Sequence, residues 1–238
     1  MELFDLHSHA LPKIDDGARN SDVSLAMLRE AGEQGVSLVA LTPHYYSDRQ
    51  SIDDFLMERD ASFSHLKGKI SEEGVKTPKL MLGAEVYLTR ALSQRDDLER
   101  LCYDGTNLLL LELPYGEWGS WVYHEVEKII SHCALTVVLA HPERYVPMPW
   151  SFKKLEPFFG MRTILQINAD SVLSATHTTK KLLRSGRPCV LGSDSHNTDH
   201  RANHMEEAAK TIEHRFGAEV LRDMESIAKH KWGISVEN

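Results

Sequence analysis

The sequence predicts an α/β protein whose parallel strands close, or nearly close, into one barrel. Three observations predict it. Short, continuous apolar runs alternate with segments of helical period along the whole 238-residue chain, the pattern of parallel strands buried on both faces. About seven such β-α units follow one another without a linker, repeat or low-complexity break, so one domain over 1–238 is expected. Polar, ionisable residues also stand at the end of nearly every strand. A doubly wound open sheet, the alternative, gathers its ligand groups at one switch point instead.

The first strand reads Leu3-Phe4-Asp5-Leu6-His7-Ser8-His9 and runs into an Asp15-Asp16-Gly17 turn. Ser21 is the expected N-cap of a helix through Leu25, Leu28 and Ala31 that stops at Gly35. Val36 to Thr42 is the second strand, ended by Pro43-His44. Ser51-Ile52-Asp53-Asp54 opens a long helix carrying Phe55, Phe63, Leu66 and Ile70 at helical spacing, closed near Gly74. The third strand, Lys79 to Ala84, ends in Glu85 and precedes a short helix over Leu92 to Leu101. The fourth, Leu108 to Leu111, ends in Glu112 and precedes a helix from Trp121 to His132. The fifth, Leu135 to Ala140, ends in His141-Pro142-Glu143-Arg144, with a short helix over Phe152 to Phe159. The sixth, Thr163 to Ile167, ends in Asn168, and a helix over Thr178 to Arg184 follows. The seventh, Cys189 to Gly192, ends in Ser193-Asp194-Ser195-His196, and helices over His204 to Phe216 and Glu219 to Lys229 complete the chain.

Composition narrows the function. A formal charge of -8 and the lack of a basic face argue against nucleic acid as partner. No apolar run reaches the roughly 20 residues that span a bilayer, and Glu2 and Asp5 interrupt any signal-peptide core, so membrane insertion is not expected. Three scattered cysteines, Cys102, Cys133 and Cys189, fit free thiols in a reducing cytoplasm, with Cys133 and Cys189, beside or in apolar strands, expected in the core.

The strand ends carry the chemistry. His7, His9 and Asp16 follow the first strand, His44 the second, Glu85 the third, Glu112 the fourth, His141 the fifth, and Asp194 and His196 the seventh. In a parallel barrel these ends face one way, so nine nitrogen and carboxylate side chains converge on one mouth. Burying them without partners would cost several kcal/mol each, and divalent cations are the economical partners. Nine ligands exceed one octahedral shell, so two or three ions are expected, bridged by Glu85 or Asp194. Without thiolates the set suits manganese, iron, zinc or magnesium. Asp5 is expected to orient a ligand histidine from behind.

His7-Ser8-His9, Thr42-Pro43-His44, Gly83-Ala84-Glu85, Ala140-His141-Pro142-Glu143-Arg144-Tyr145 and Ser193-Asp194-Ser195-His196-Asn197 resemble the motifs of the polymerase and histidinol phosphatase (PHP) superfamily. Within it the chain is most similar to the manganese-dependent protein-tyrosine phosphatases of bacterial capsule and exopolysaccharide loci. Asp16 and Glu112 stand where other branches often carry histidine. The resemblance implies a distorted, TIM-like (β/α)7 barrel and a trinuclear site, with manganese the first expectation. It implies phosphate binding by Arg144 and Arg201, and a tyrosine autokinase of polysaccharide export, dephosphorylated on its tail, as partner. One departure is Tyr45-Tyr46-Ser47-Asp48, where family members often have glycine followed by an aromatic.

Such residues answer the needs of phosphomonoester hydrolysis. Bridged cations polarise phosphoryl oxygens and bring the pKa of a bound water towards about 7, and the resulting hydroxide is the expected nucleophile. Arginine offers phosphate a charged planar fork. A tyrosine leaving group has a pKa of about 10, and Asp199 or His200 is the expected proton donor. No Cys-x5-Arg loop, Gly-x-Ser-x-Gly elbow or glycine-rich nucleotide loop offers another plan. His65, His124, His132, His177, His204, His214 and His230 are expected on surfaces or in packing, and Tyr87, Tyr115, Trp118 and Trp121 in loop packing rather than as aromatic walls. A small-molecule phosphatase such as histidinol-phosphate phosphatase is the alternative enzyme, and a metal-stabilised binding domain the non-catalytic one.

Overall fold

The computed structural model describes residues 1–146 and 148–235. Its strands are β1 (Leu3–Ser8), β2 (Val36–Leu41), β3 (His44–Tyr45), β4 (Lys79–Leu82), β5 (Glu85–Tyr87), β6 (Leu108–Glu112), β7 (Thr136–Ala140), β8 (Thr163–Asn168) and β9 (Cys189–Gly192). All ladders are parallel, in the orders β1-β2-β4 and β3-β5-β6-β7-β8-β9. The two sets are one circuit. β2 continues into β3, and β4 into β5, across kinks bridged by Gly83 N–H to Leu41 O and Glu85 N–H to Pro43 O, both 3.0 Å. Pro43 has no N–H to give the ladder, which accounts for the interruption of the expected second strand. On the far side β9 returns to β1 through a Ser8–Ser195 bridge, with Asp194 N–H donating to His7 O at 2.7 Å. The predicted α/β circuit is thus present, distorted at two kinks and joined at its mouth.

The helices α1 (Ser21–Glu33), α2 (Ile52–Glu73), α3 (Ser120–Ser131), α4 (Glu156–Phe159), α5 (Ala169–Ser174), α6 (His177–Leu183), α7 (Met205–Phe216) and α8 (Ala218–Trp232) surround the strands. Two separate apolar clusters explain the continuous apolar runs. Phe4, Leu6, Leu38, Ala40, Leu108, Leu110, Val138, Ala140, Ile164 and Val190 form the inner one. Tyr103 and Trp232 join it, their rings 5.3 Å apart, and Tyr103 donates its hydroxyl to Leu6 O at 2.7 Å. The intervening residues, such as Leu109, Leu111, Val137, Leu139 and Leu165, pack with Leu25, Leu28, Val126 and Ile129 of the helices. Each strand is therefore apolar on both faces.

Several local expectations change. The N-cap of α1 is Asn20, whose Oδ1 accepts Val23 N–H at 2.9 Å, one residue before Ser21. Ser51 does cap α2, and Gly74 closes it in the left-handed region. The short helix over 92–101 is two 3-10 turns, Leu92–Gln94 and Leu98–Leu101, separated by extended Arg95. The one over 152–159 is a 3-10 turn, Pro149–Lys154, followed by α4, because Pro157 has no N–H to continue a helix from the preceding turn. A further short helix, α5, follows β8 directly and buries Ala169 and Val172.

Candidate metal centre

His7, His9 and Asp16 at the exit of β1, His44 and Glu85 opening β3 and β5, Glu112 ending β6, His141 after β7, and Asp194 and His196 after β9 reach the same mouth. His7, His9, Glu85, Glu112, His141, Asp194 and His196 are buried, whereas His44 is partly covered and Asp16 exposed. Ligand atoms of three groups each lie within 4.8 Å of one another: His9, Asp16, His44 and His196; His7, His9, Glu85 and Asp194; His44, Glu85 and Glu112. The groups share His9, His44 and Glu85, so three positions overlap. His141 joins through Nε2, 2.9 Å from Glu85 Oε1.

Hydrogen bonds from behind set which imidazole atom faces the centre. His7 Nδ1 donates to Gln166 Oε1 at 2.8 Å, His9 Nδ1 to Asp15 Oδ2 at 2.7 Å, and His196 Nδ1 to the Asp194 carbonyl at 2.9 Å. Neutral rings so held turn an Nε2 lone pair inward. His7 Nε2 and His9 Nε2 then face each other at 3.2 Å, lone pair against lone pair. Glu85 Oε2 lies 3.1, 3.2 and 3.0 Å from nitrogens of His7, His9 and His44, yet hydrogen-bonds to none. His44 Nδ1, His141 Nδ1 and His196 Nε2 are likewise buried without a hydrogen bond. Native interiors rarely leave such atoms unpaired, at about 1–3 kcal/mol each. The donor set is imidazole nitrogen and carboxylate oxygen, which fits divalent cations.

Two arginines bracket this cluster. Arg144 Nη2 is 2.6 Å from Asp194 Oδ2, and Arg201 Nη2 is 3.0 and 3.1 Å from the two Asp194 oxygens. Asp199 is exposed on the turn before Arg201, and among the described residues no ion pair ties it to the centre. Tyr115 is 59% exposed beside Arg144, while Tyr46 packs 5.4 Å from the His44 ring and 5.6 Å from Tyr87. Trp118 is loop packing, against Tyr145 and Phe158.

A family model, "Capsular polysaccharide synthesis, CpsB/CapC", matches residues 3–230. The chain belongs to the CpsB/CapC family. Tyrosine-protein phosphatase CpsB of Streptococcus agalactiae is 25% identical over 248 residues, covering 97% of this chain and all (100%) of that protein. Tyrosine-protein phosphatase YwqE of Bacillus subtilis is 26% identical over 229 residues, covering 92% and 87%. A solved structure from the pair YwqE of Bacillus subtilis and CpsB of Streptococcus pneumoniae, described as metal-dependent tyrosine phosphatases, superposes with a TM-score of 0.80 at 23% identity. It covers 99% of this chain and 96% of that one, so the fold is shared along the full length.

The electrostatics of this CpsB/CapC chain press the same way as its geometry. Burial opposes a charge on His7 and His9, but Glu85 and Asp194 beside the first, and Asp15 beside the second, drive both imidazoles up. Burial, then the Glu85 charge, pushes Glu112 up to about 7. Burial and the neighbouring His9 push His196 down to about 4, so its Nε2 stays a lone pair. Although burial acts against it, His9 and the N–H groups of Gly17 and His44 hold Asp15 down to about 2. Carboxylates that demand positive charge, among imidazoles poised to give electron pairs, describe a cation site.

The backbone is shaped around the cluster. His141 (φ 32°) and Asp194 (φ 53°) take left-handed conformations rare for residues with a Cβ, as strand exits at functional sites often do. A Cβ on Gly17 would lie 2.1 Å from His9 O and 2.5 Å from His9 Cβ, so only glycine fits there.

Some expectations are corrected. Asp5 bonds no imidazole nitrogen: its carboxylate accepts from the backbone N–H groups of His7 and Ser193, from Ser193 Oγ and from Asn203 Nδ2, so it holds the His7 backbone rather than its ring. Asp15 and Gln166 do that work for His9 and His7. Asp15 sits beside Asp16, and Gln166 is a polar side chain inside an apolar strand, which were the signals available. Cys133 is only half-buried, unlike Cys102 and Cys189. The other histidines are exposed apart from half-buried His204.

Proposed function

We propose that the chain is a metal-dependent phosphomonoester hydrolase that removes phosphate from tyrosine in a protein. The supporting observation is the buried Glu85 carboxylate, ringed by His7, His9, His44 and His141 with one oxygen lacking a hydrogen bond, beside two arginines directed at Asp194. The nine strand-end side chains would hold two or three divalent ions, manganese first among them. Bound there, such ions would neutralise phosphoryl oxygens and supply a water acidic enough to attack as hydroxide at neutral pH.

The chain's own residues define the rest. Arg144 and Arg201 stand where their forks can pass from Asp194 to phosphoryl oxygens. His9 and His7 are held by Asp15 and Gln166 with Nε2 inward, so no reorientation is required when substrate arrives. Asp199, exposed on the Arg201 turn, is the proposed proton donor to the leaving phenolate. The tyrosine specificity rests on the relatives, which are named tyrosine-protein phosphatases, and on a family described by capsular polysaccharide synthesis. The proposed partner is accordingly the tail of a tyrosine autokinase of polysaccharide export, met in the cytoplasm.

Steady-state kinetics on a phosphotyrosine peptide and on histidinol phosphate, with metal content measured on the same sample, test this reading. It predicts the larger kcat/KM for the peptide. A larger value for histidinol phosphate would transfer the site to small-molecule chemistry, and no turnover by the metal-loaded protein would remove catalysis.

A further inference from the structure

β8 lies between β7 and β9, whose exits carry His141 and Asp194, and it ends in uncharged Gln166-Ile167-Asn168. We propose that Gln166 and Asn168 are positioning residues, an uncharged two-amide relay that aims His7 and Asp194 at the metal centre. The inference rests on the metal centre proposed above.

One backbone N–H decides the direction of the relay. His141 N–H, which can only donate, reaches Gln166 Oε1 at 3.2 Å, so that atom is the carbonyl oxygen. His7 Nδ1, 2.8 Å from the same oxygen, must then donate as well, leaving its electron pair on Nε2. Gln166 Nε2 donates to Asn168 Oδ1 at 2.8 Å, and Asn168 Nδ2 donates to Asp194 Oδ2 at 3.1 Å. Asp194 Oδ2 is thus occupied from behind, and Oδ1 is the oxygen nearest His9 Nε2, at 3.3 Å. Residues from the exits of β1, β7 and β9 are referred to one rigid pair of amides.

The pair is buried and packed without slack. Gln166 and Asn168 are both 0% exposed, and a Cβ on Gly192 would sit 2.7 Å from Gln166 Nε2 and 2.6 Å from His7 Cβ. Amides suit this role because they carry direction without charge. A carboxylate at 166 or 168 would add a negative charge to a cluster already holding Glu85, Glu112 and Asp194. Partners behind metal ligands commonly change metal affinity by about 10–100-fold when removed.

Manganese titration of the metal-free protein, read by the electron paramagnetic resonance of free ion, tests the relay without turnover. Gln166→Met and Asn168→Ala should each weaken affinity about tenfold or more. The double variant should lose little beyond the worse single, because one broken link already disables the relay. Thr163→Val, which removes the hydroxyl bonded to Phe158 O at the start of the same strand, should leave affinity unchanged while lowering the melting temperature. Affinities within about twofold of wild type, losses that multiply in the double variant, or an equal loss in Thr163→Val would each overturn the proposal. If wild type binds manganese but does not hydrolyse phosphotyrosine, the proposed function fails while the relay stands.

Discussion

Asp5 and Ser193 lie 188 positions apart and are joined by two hydrogen bonds, from Ser193 N–H to Oδ1 at 2.7 Å and from its hydroxyl to Oδ2 at 2.6 Å. Asn203 Nδ2 adds a third at 2.9 Å. This buried carboxylate ties the first strand to the exit of the last, just below the mouth. His7 N–H also donates to Oδ1, at 3.3 Å, so Asp5→Ala would leave the buried N–H groups of His7, Ser193 and Asn203 without this acceptor and should destabilise the fold by about 3 kcal/mol or more. Urea unfolding would show the loss, and an unchanged midpoint would count against this role.

Metal removal should abolish activity. Chelation by EDTA should bring phosphotyrosine hydrolysis to background and lower the melting temperature, and added manganese should restore both. His7 and His9, both driven up by their carboxylate neighbours, must be neutral to ligate, so manganese affinity should fall as the pH is lowered from 8 to 6. Titration at both pH values checks the sign.

Gly17→Ala should damage the centre through its backbone. The added methyl would displace His9, at about 1–3 kcal/mol of strain, and weaken manganese binding although position 17 holds no ligand. Wild-type affinity in this variant would show that the turn yields freely.

Arg201→Ala should separate phosphate binding from metal binding. Metal content should stay at the wild-type level, inhibition by free phosphate should weaken, and kcat/KM should drop by about 100-fold, equivalent to roughly 3 kcal/mol. A fall in metal content instead would mean that Arg201 mainly serves Asp194, to which it is already bonded.

Thiol reagents should not inactivate. Burial pushes Cys102 and Cys189 up to about 12, so at pH 8 both remain protonated and poorly nucleophilic. Burial also pushes up half-buried Cys133, whose thiol donates to Ser93 O outside the centre, so iodoacetamide should leave activity intact. Because these values exceed the free thiol's 9.0, their contribution to stability is complete below pH 9 and declines as pH rises towards 12. The decline should be shallower in Cys189→Ala, as urea midpoints across that interval would report.

The sequence by itself determined the architecture and the meeting of His7, His9, His44, Glu85, Glu112, His141, Asp194 and His196. Apolar strands that alternate with helices pair in parallel, and parallel strands in one circuit present their ends together. Tertiary structure decided which atoms face one another. Asp5 shares a strand with His7, so its alternation suggested service to the histidines, but Ser193 and Asn203 come from distant segments and claim its oxygens. Gln166 became legible only when β8 was laid beside β7 and β9, placing His141 N–H and the Gly192 gap around its amide. Periodicity records which face of an element is buried; hydrogen-bond partners depend on distances between elements, which periodicity does not carry.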